Sequence, residues 1–240
     1  MNNLQIAIDN LYEIFSKYNT IGIHHCDCGC IDTHDVKKLN SKPLRELEAD
    51  DLISYHGSAL YTWGDTEHYK HFLPRICELI SEKGSFRFVT LDEFQIKLEY
   101  AEWKTWPNIE QQVIVHYVMA DWMYFVNDCC FEVNDTELIA YIKFLGIKKV
   151  LQLWNIANSE EAIRNFIYFF YYHGTEILNN GFEIAGIKFR SEFLEKISDK
   201  EIISKFEYSF FHNEQNNPDY AYKISIVLQM IEQEMKIKKI

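Results

Sequence analysis

Apolar residues recur at intervals of three and four along almost the whole chain, the spacing of a single buried helix face. Leu4, Ile8, Leu11, Phe15 and Tyr18 form the first stripe, which stops at Asn19. A short helix is predicted over 34–39, with Asp32 or Thr33 as its cap. Pro43 opens a region read as helical through Leu47, Leu52, Tyr55 and Leu60, ended by Gly64, and Asp65 is placed to cap the next helix. That helix carries His68, His71, Phe72, Ile76, Leu79 and Ile80. Pro74 lies inside it without an N–H and crowds the preceding turn, so a kink or a restart is expected there.

Thr90 and Glu93 make a capping box, in which each side chain reaches the other's backbone amide. Phe94, Leu98 and Ala101 follow on one face. Pro107 suits the first turn of a helix lined by Ile109, Val113, Tyr117, Ala120 and Tyr124. Asn134 with Glu137, Asn158 with Glu161 and Ser198 with Glu201 repeat the box, and Asn217-Pro218 starts a last stripe of Tyr220, Ile224, Leu228, Ile231 and Met235. Gly146, Gly174 and Gly181 read as helix stops. Residues 84–90 alternate weakly and are read as a loop. The run Phe166 to Tyr172 implies a central buried helix or an exposed adhesive face.

The expected fold is therefore all-α, with roughly ten antiparallel helices in one domain spanning 1–240. No strict repeat is visible. Helix pairs on a scale of about 40 residues suit a HEAT-like stack, and an irregular globular helical fold is the other form.

Composition narrows the classes. Four prolines and nine glycines in 240 residues are too few for the frequent turns of an all-β fold. The formal net charge of −12 argues against nucleic acid, whose phosphates need Lys/Arg patches, and it permits a basic partner. Lys236, Lys238 and Lys239 read as cations at a helix C-terminus. Residues 1–15 carry Asp9 and Glu13 and no basic n-region, which is an amphipathic helix and not a signal peptide. The seven residues from Phe166 to Tyr172 fall far short of the roughly 20 that span a bilayer. The chain reads as cytoplasmic with no membrane partner, where its six cysteines suggest free thiols or a metal before disulfides.

Candidate chemistry concentrates at His24-His25-Cys26-Asp27-Cys28-Gly29-Cys30, with His34 just beyond. Thiols and imidazoles are the donors a zinc ion takes. Cys26 and Cys30 have a usable spacing, Cys28 falls tightly between them, and His24, His25 or His34 would complete the set. Adjacent Cys129 and Cys130 cannot both point one way on a helix. A redox-sensitive thiol loop and a loop of packed thiols stay open beside the metal. A second constellation is Asp65, His68 and His71, because i, i+3 histidines share a helix face; a capping pair around a kinked helix is its plain reading. A third is an aromatic belt of Tyr61, Trp63, Tyr100, Trp103, Trp106 and Trp122, either core packing or an anchor for a ligand or partner. No P-loop, G-x-G-x-x-G, HExxH or G-x-S-x-G occurs.

The cysteine loop, Pro43-Leu44-Arg45-Glu46-Leu47, Thr62-Trp63-Gly64, His71-Phe72-Leu73-Pro74-Arg75-Ile76 and the stretch from Leu98 to Pro107 resemble, in that order, an uncharacterised bacterial family with no assigned activity. The resemblance covers residues 24–110. It marks the cysteine loop and Thr62–Arg75 as candidates for one shared site, and Trp63, Asp65, His68, His71, Arg75, Trp103 and Trp106 are the candidate interaction or shared-site residues. The leading expectation is a protein-binding scaffold that neutralises a basic partner such as a toxin. The rival is a metal-dependent or thiol enzyme built on Cys26, Cys28, Cys30, His68 and His71.

Overall fold

The computed structural model describes residues 2–29, 31–82, 89–128, 133–184 and 186–237. They contain 12 α-helices, and the only strands among them are two short ones, so the chain is all-α. It divides into two compact units, Met1–Asp121 and Trp122–Ile240.

The first unit holds α1 (Asn3–Phe15), α2 (Thr33–Leu39), α3 (Ala49–Ser58), α4 (Thr66–Ser81), α5 (Leu91–Tyr100) and most of α6 (Asn108–Asp128). The first stripe does what its period requires: Leu4, Ile8, Leu11 and Phe15 are buried, and α1 packs on α4. Asp32 caps α2 and Asp65 caps α4 through their side chains, and Thr90 and Glu93 close the reciprocal box on α5. Two expectations are corrected. Pro43 leads only into a 3₁₀ turn at Leu44–Glu46, and the helix runs from Ala49, where the Glu48 amide donates to Asp51, to Ser58, short of Leu60 and Gly64. Pro74 does not restart α4. It is buried in a helix that continues to Ser81, and the packing of Phe72, Leu73 and Ile76 outweighs the one lost backbone hydrogen bond. Residues 83–88, most of the weakly alternating stretch, lie outside the described residues.

The second unit holds α7 (Asp135–Leu145), α8 (Ile147–Leu153), α9 (Glu160–Leu178), α10 (Arg190–Ile197), α11 (Lys200–Asn213) and α12 (Pro218–Ile237). A hairpin of β1 (Glu183–Ile184) and β2 (Ile187–Lys188) interrupts it, with Gly186 at φ +79°; strands of two residues are too short to show alternation in a sequence. Asn134 and Asn217 cap as expected. The other two caps are displaced by one residue: Ser159 and not Asn158 caps α9, and Asp199 and not Ser198 caps α11. Gly174 is not a stop. It lies within α9, where a Cβ would come 2.8 Å from the Phe170 ring. The Phe166–Tyr172 run is amphipathic, with Phe166, Ile167, Phe169 and Phe170 buried and Tyr172 exposed. Trp122, Tyr141, Trp154 and Phe166 form the aromatic centre of this unit, with Trp122 and Trp154 edge to face at 5.5 Å.

No described helix is long and apolar enough to cross a membrane.

Candidate functional site

The cysteine loop is fastened to the start of α4 by backbone pairing. The Cys26 amide donates to the Thr62 carbonyl at 2.8 Å and the Gly64 amide to the His24 carbonyl at 2.7 Å, which frames an antiparallel bridge between His25 and Trp63. Gly64 makes the pairing possible. Its φ is +67°, and a Cβ there would meet the His68 Cβ at 3.0 Å and Ile23 at 3.4 Å. The Trp63 side chain turns inward, 1% exposed, against Tyr55 at 5.4 Å.

The two histidines of α4 hold the preceding segment rather than face a cleft. His68 is buried, with Nδ1 against the Asp65 amide at 3.2 Å and the Asp65 carboxylate at 2.8 Å, and Nε2 against the Ile21 carbonyl at 3.2 Å. One turn on, His71 Nδ1 meets the Tyr18 carbonyl at 2.9 Å, and burial lowers its pKa despite that bond. Burial alone would raise the Asp65 carboxyl. The amides of His68 and Glu67 and the charge on His68 outweigh it, and the carboxyl stays below its ordinary range. Arg75 is also committed, donating to the Leu47 carbonyl at 2.6 Å and to Glu78 at 2.7 Å.

His24, His25 and Cys26 therefore share a neighbourhood with Trp63 and His68, and the His24 and His68 rings lie 6.4 Å apart. His34 stands apart in the first turn of α2, exposed, its amide held by Asp32. Among the described residues no three His, Cys, Asp or Glu side chains are gathered to hold a metal ion. Cys30, one of the expected ligands, lies outside the described residues, as do Cys129, Cys130, Lys238 and Lys239. The tip of the loop is open: Asp27, Cys28 and Gly29 are exposed, and the Cys28 amide donates to Cys26 Sγ at 3.3 Å.

The tryptophans of the belt are core. Trp103 and Trp106 are 7% and 6% exposed, with their indole N–H groups on Glu99 and on the Ala101 carbonyl. Only Tyr61 and Tyr100 reach the surface, edge to face at 4.6 Å.

Two buried charge clusters had no sequence signal. Glu110, fully buried in the first turn of α6, takes Lys17 at 2.7 Å, Lys70 at 2.8 Å and the Tyr18 hydroxyl at 2.7 Å. Burial raises its carboxyl, the two ammonium groups and the hydroxyl more than offset that, and it stays ionised at neutral pH. Lys97 is buried as well. Its Nζ donates to the Gly57 and Ala59 carbonyls at 2.9 Å each, which ends α3 with a cation, and it sits 3.8 Å from the centre of the Tyr61 ring. Burial brings its pKa down to about 8. Beside it, burial and the Lys97 charge hold His56 at about 4.

Comparison with protein-family models, with curated proteins and with solved structures found no match.

Proposed function

We propose that the chain is an interaction protein that holds a basic partner on the acidic surface of its first unit. One observation carries this reading. The candidate catalytic side chains of that unit — Asp65, His68, His71 and Arg75 — are spent on holding backbone and capping helices, while its surface keeps a surplus of carboxylates. Residues 1–121 hold 19 acidic residues against 11 basic ones, which is 8 of the 12 excess negative charges of the chain. Glu46, Glu48 and Asp50 stand exposed together at the start of α3, and Asp27 and Asp32 flank the open loop tip. Such a field favours fast, salt-sensitive capture of a basic protein, of which a toxin is one form.

The test compares the wild type with Glu46→Lys/Glu48→Lys/Asp50→Lys as baits in extract of the source cell. A specific basic protein should be retained by the wild type, be released by salt and be absent from the charge-reversed bait. Equal retention by both baits, or a retained set no more basic than the extract, would sink the reading.

A second reading rests on the amide of Cys28 donating to Cys26 Sγ at the open tip of the loop, which draws the two residues together. In it the loop thiols, with His24 or His25, take a zinc ion. Native mass spectrometry with and without chelator separates the two, since stoichiometric zinc would favour the thiol centre.

A further inference from the structure

A cavity of about 480 Å³ lies wholly within the second unit, between the start of α9, the second half of α11 and the start of α12. That volume is in the range of small-molecule sites. Its most telling wall is α11. Lys205, Tyr208, Ser209, His212 and Asn213 line the cavity and follow the i, i+3, i+4, i+7, i+8 spacing of one helix face, half-buried at Ser209 and Asn213 and exposed at Lys205, Tyr208 and His212. Here all five side chains carry polar groups, and the buried residues of α11 are Ile202 and Phe206, on other positions. Floor and rim differ in kind: Ile163 and Tyr220 are buried beneath, and the Tyr220 hydroxyl is held by Ser209, while Glu160 stands exposed at the edge.

The formal charges of the lining cancel, two glutamates against an arginine and a lysine. They are not all paired with one another. Glu161 and Arg164 bind each other, whereas Glu160 and Lys205 form no ion pair among the described residues. A cavity that offers one spare anion and one spare cation is matched by a ligand carrying both signs. The side-chain amides are divided as well. Asn158 and Asn213 use their nitrogens on Asn155 and on the Ser209 carbonyl, which leaves their oxygens as acceptors; Asn217 uses its oxygen on the Tyr220 amide, which leaves its NH₂ as a donor. Peptide groups present the complement of both. The wall of the cavity along α11, from Lys205 to His212, runs about 10 Å along the axis, the length of about three extended residues. Tyr208 and His212 stack almost parallel, 11° between planes, and give a side chain of the ligand a flat surface to lie on.

We propose that this cavity binds a short zwitterionic peptide of two or three residues, its carboxylate on Lys205 and its ammonium on Glu160. The site stands independently of the partner reading of the first unit.

The test is calorimetric titration of the full chain with trialanine and with Ala-Phe-Ala, each free, N-acetylated and C-amidated, and with inorganic phosphate. Binding of a free tripeptide is expected, with each block weakening it by roughly tenfold, as loss of one charged contact does. Lys205→Ala should abolish the discrimination against the amide and leave that against the acetyl form; Glu160→Gln should do the reverse. Both residues are exposed, so neither variant puts folding at risk. Absence of tripeptide binding at millimolar concentration would overturn the proposal. So would blocked forms that bind as well as free ones, or phosphate binding that competes with the peptide and survives Glu160→Gln unchanged, which would make the cavity a plain anion site.

Discussion

Acid should strike the first unit through His56. The side chain lies in the last turn of α3, 5% exposed, with its ring 6.1 Å from that of Tyr69 and with Lys97 beside it. Burial and the Lys97 charge lower its pKa from 6.5 to about 4, and Glu93 opposes them only in part. In the unfolded chain the imidazole takes up its proton near pH 6.5; in the folded chain it does so only near pH 4. Between those values the unfolded state binds more protons, so stability falls as the pH falls and levels off below about 4. The gap in pKa corresponds to about 3 kcal/mol, a sizeable share of the roughly 5–15 kcal/mol by which domains are stable.

The assay is urea unfolding of the wild type and of His56→Gln at pH 7.5, 6, 5 and 4. Other groups titrate in this window, His71 among them, but they are common to both proteins and cancel in the difference. The offset at pH 7.5 reports packing and has no bearing. What matters is its change: the wild type should lose about 3 kcal/mol more than the variant on the way to pH 4. Lys97, with a pKa of about 8, is charged from pH 6 downward, so the change between pH 6 and 4 reads His56 alone. Parallel stability curves, within about 0.5 kcal/mol, would refute the claim that a neutral imidazole is held in a desolvated site.

Three further outcomes follow from the same geometry. Glu110→Gln strands the buried Lys70 ammonium and should cost about 3–5 kcal/mol in urea unfolding, whereas adding Lys70→Met should restore part of it, because the double variant no longer buries an ammonium without its carboxylate. Gly64→Ala should cost about 1–3 kcal/mol, from the left-handed backbone and the close His68 Cβ together, read as a lower urea midpoint with unchanged slope. At the alkaline end, burial holds the Tyr12, Tyr18, Tyr55 and Tyr69 hydroxyls above their ordinary 10 and pushes Tyr220 up to about 12. The unfolded chain loses those protons first, so the urea midpoint should fall as the pH rises past 10; a midpoint that holds to pH 11 would contradict that burial.

Helices were legible because their signal is local. A stripe such as Leu4–Ile8–Leu11–Phe15 needs only its own period, and the caps at Asp65, Thr90, Asn134 and Asn217 need only three residues of context. The displaced caps show the limit of that context: in Asn158-Ser159 and in Ser198-Asp199 either neighbour has the chemistry, and the backbone decides. Gly174 shows another. A glycine that admits the Phe170 ring is indistinguishable in sequence from one that ends a helix. The buried charges were invisible for a third reason. Tyr18 and Glu110 are separated by 92 positions and Lys97 from Gly57 by 40, so nothing near a lysine in the sequence says that it is dry. The pairing of the cysteine loop with Thr62–Gly64 was legible only as two neighbouring islands of unusual chemistry; the bridge that joins them is backbone, and backbone bonds leave no residue signature beyond Gly64.

The irregular stretch between α1 and α2 explains why so much of this chemistry is structural. The described residues between 16 and 32 form no helix, so their carbonyls need donors from elsewhere. Within that stretch His71 takes the Tyr18 carbonyl, His68 that of Ile21 and the Gly64 amide that of His24, while Glu110 gathers the side chains of Lys17 and Tyr18. The histidine pair, which by spacing alone resembles half a metal site, is thus part of a row of anchors that begins at Lys17 and ends at Cys26. The row stops short of Asp27, Cys28 and Gly29, which remain exposed, and a segment tied down up to its tip presents that tip in a fixed position. Under the proposed partner reading, the loop would meet its partner without the ordering cost of a free loop, and His68→Gln should lower retention in the bait assay through the anchor even though its ring is buried.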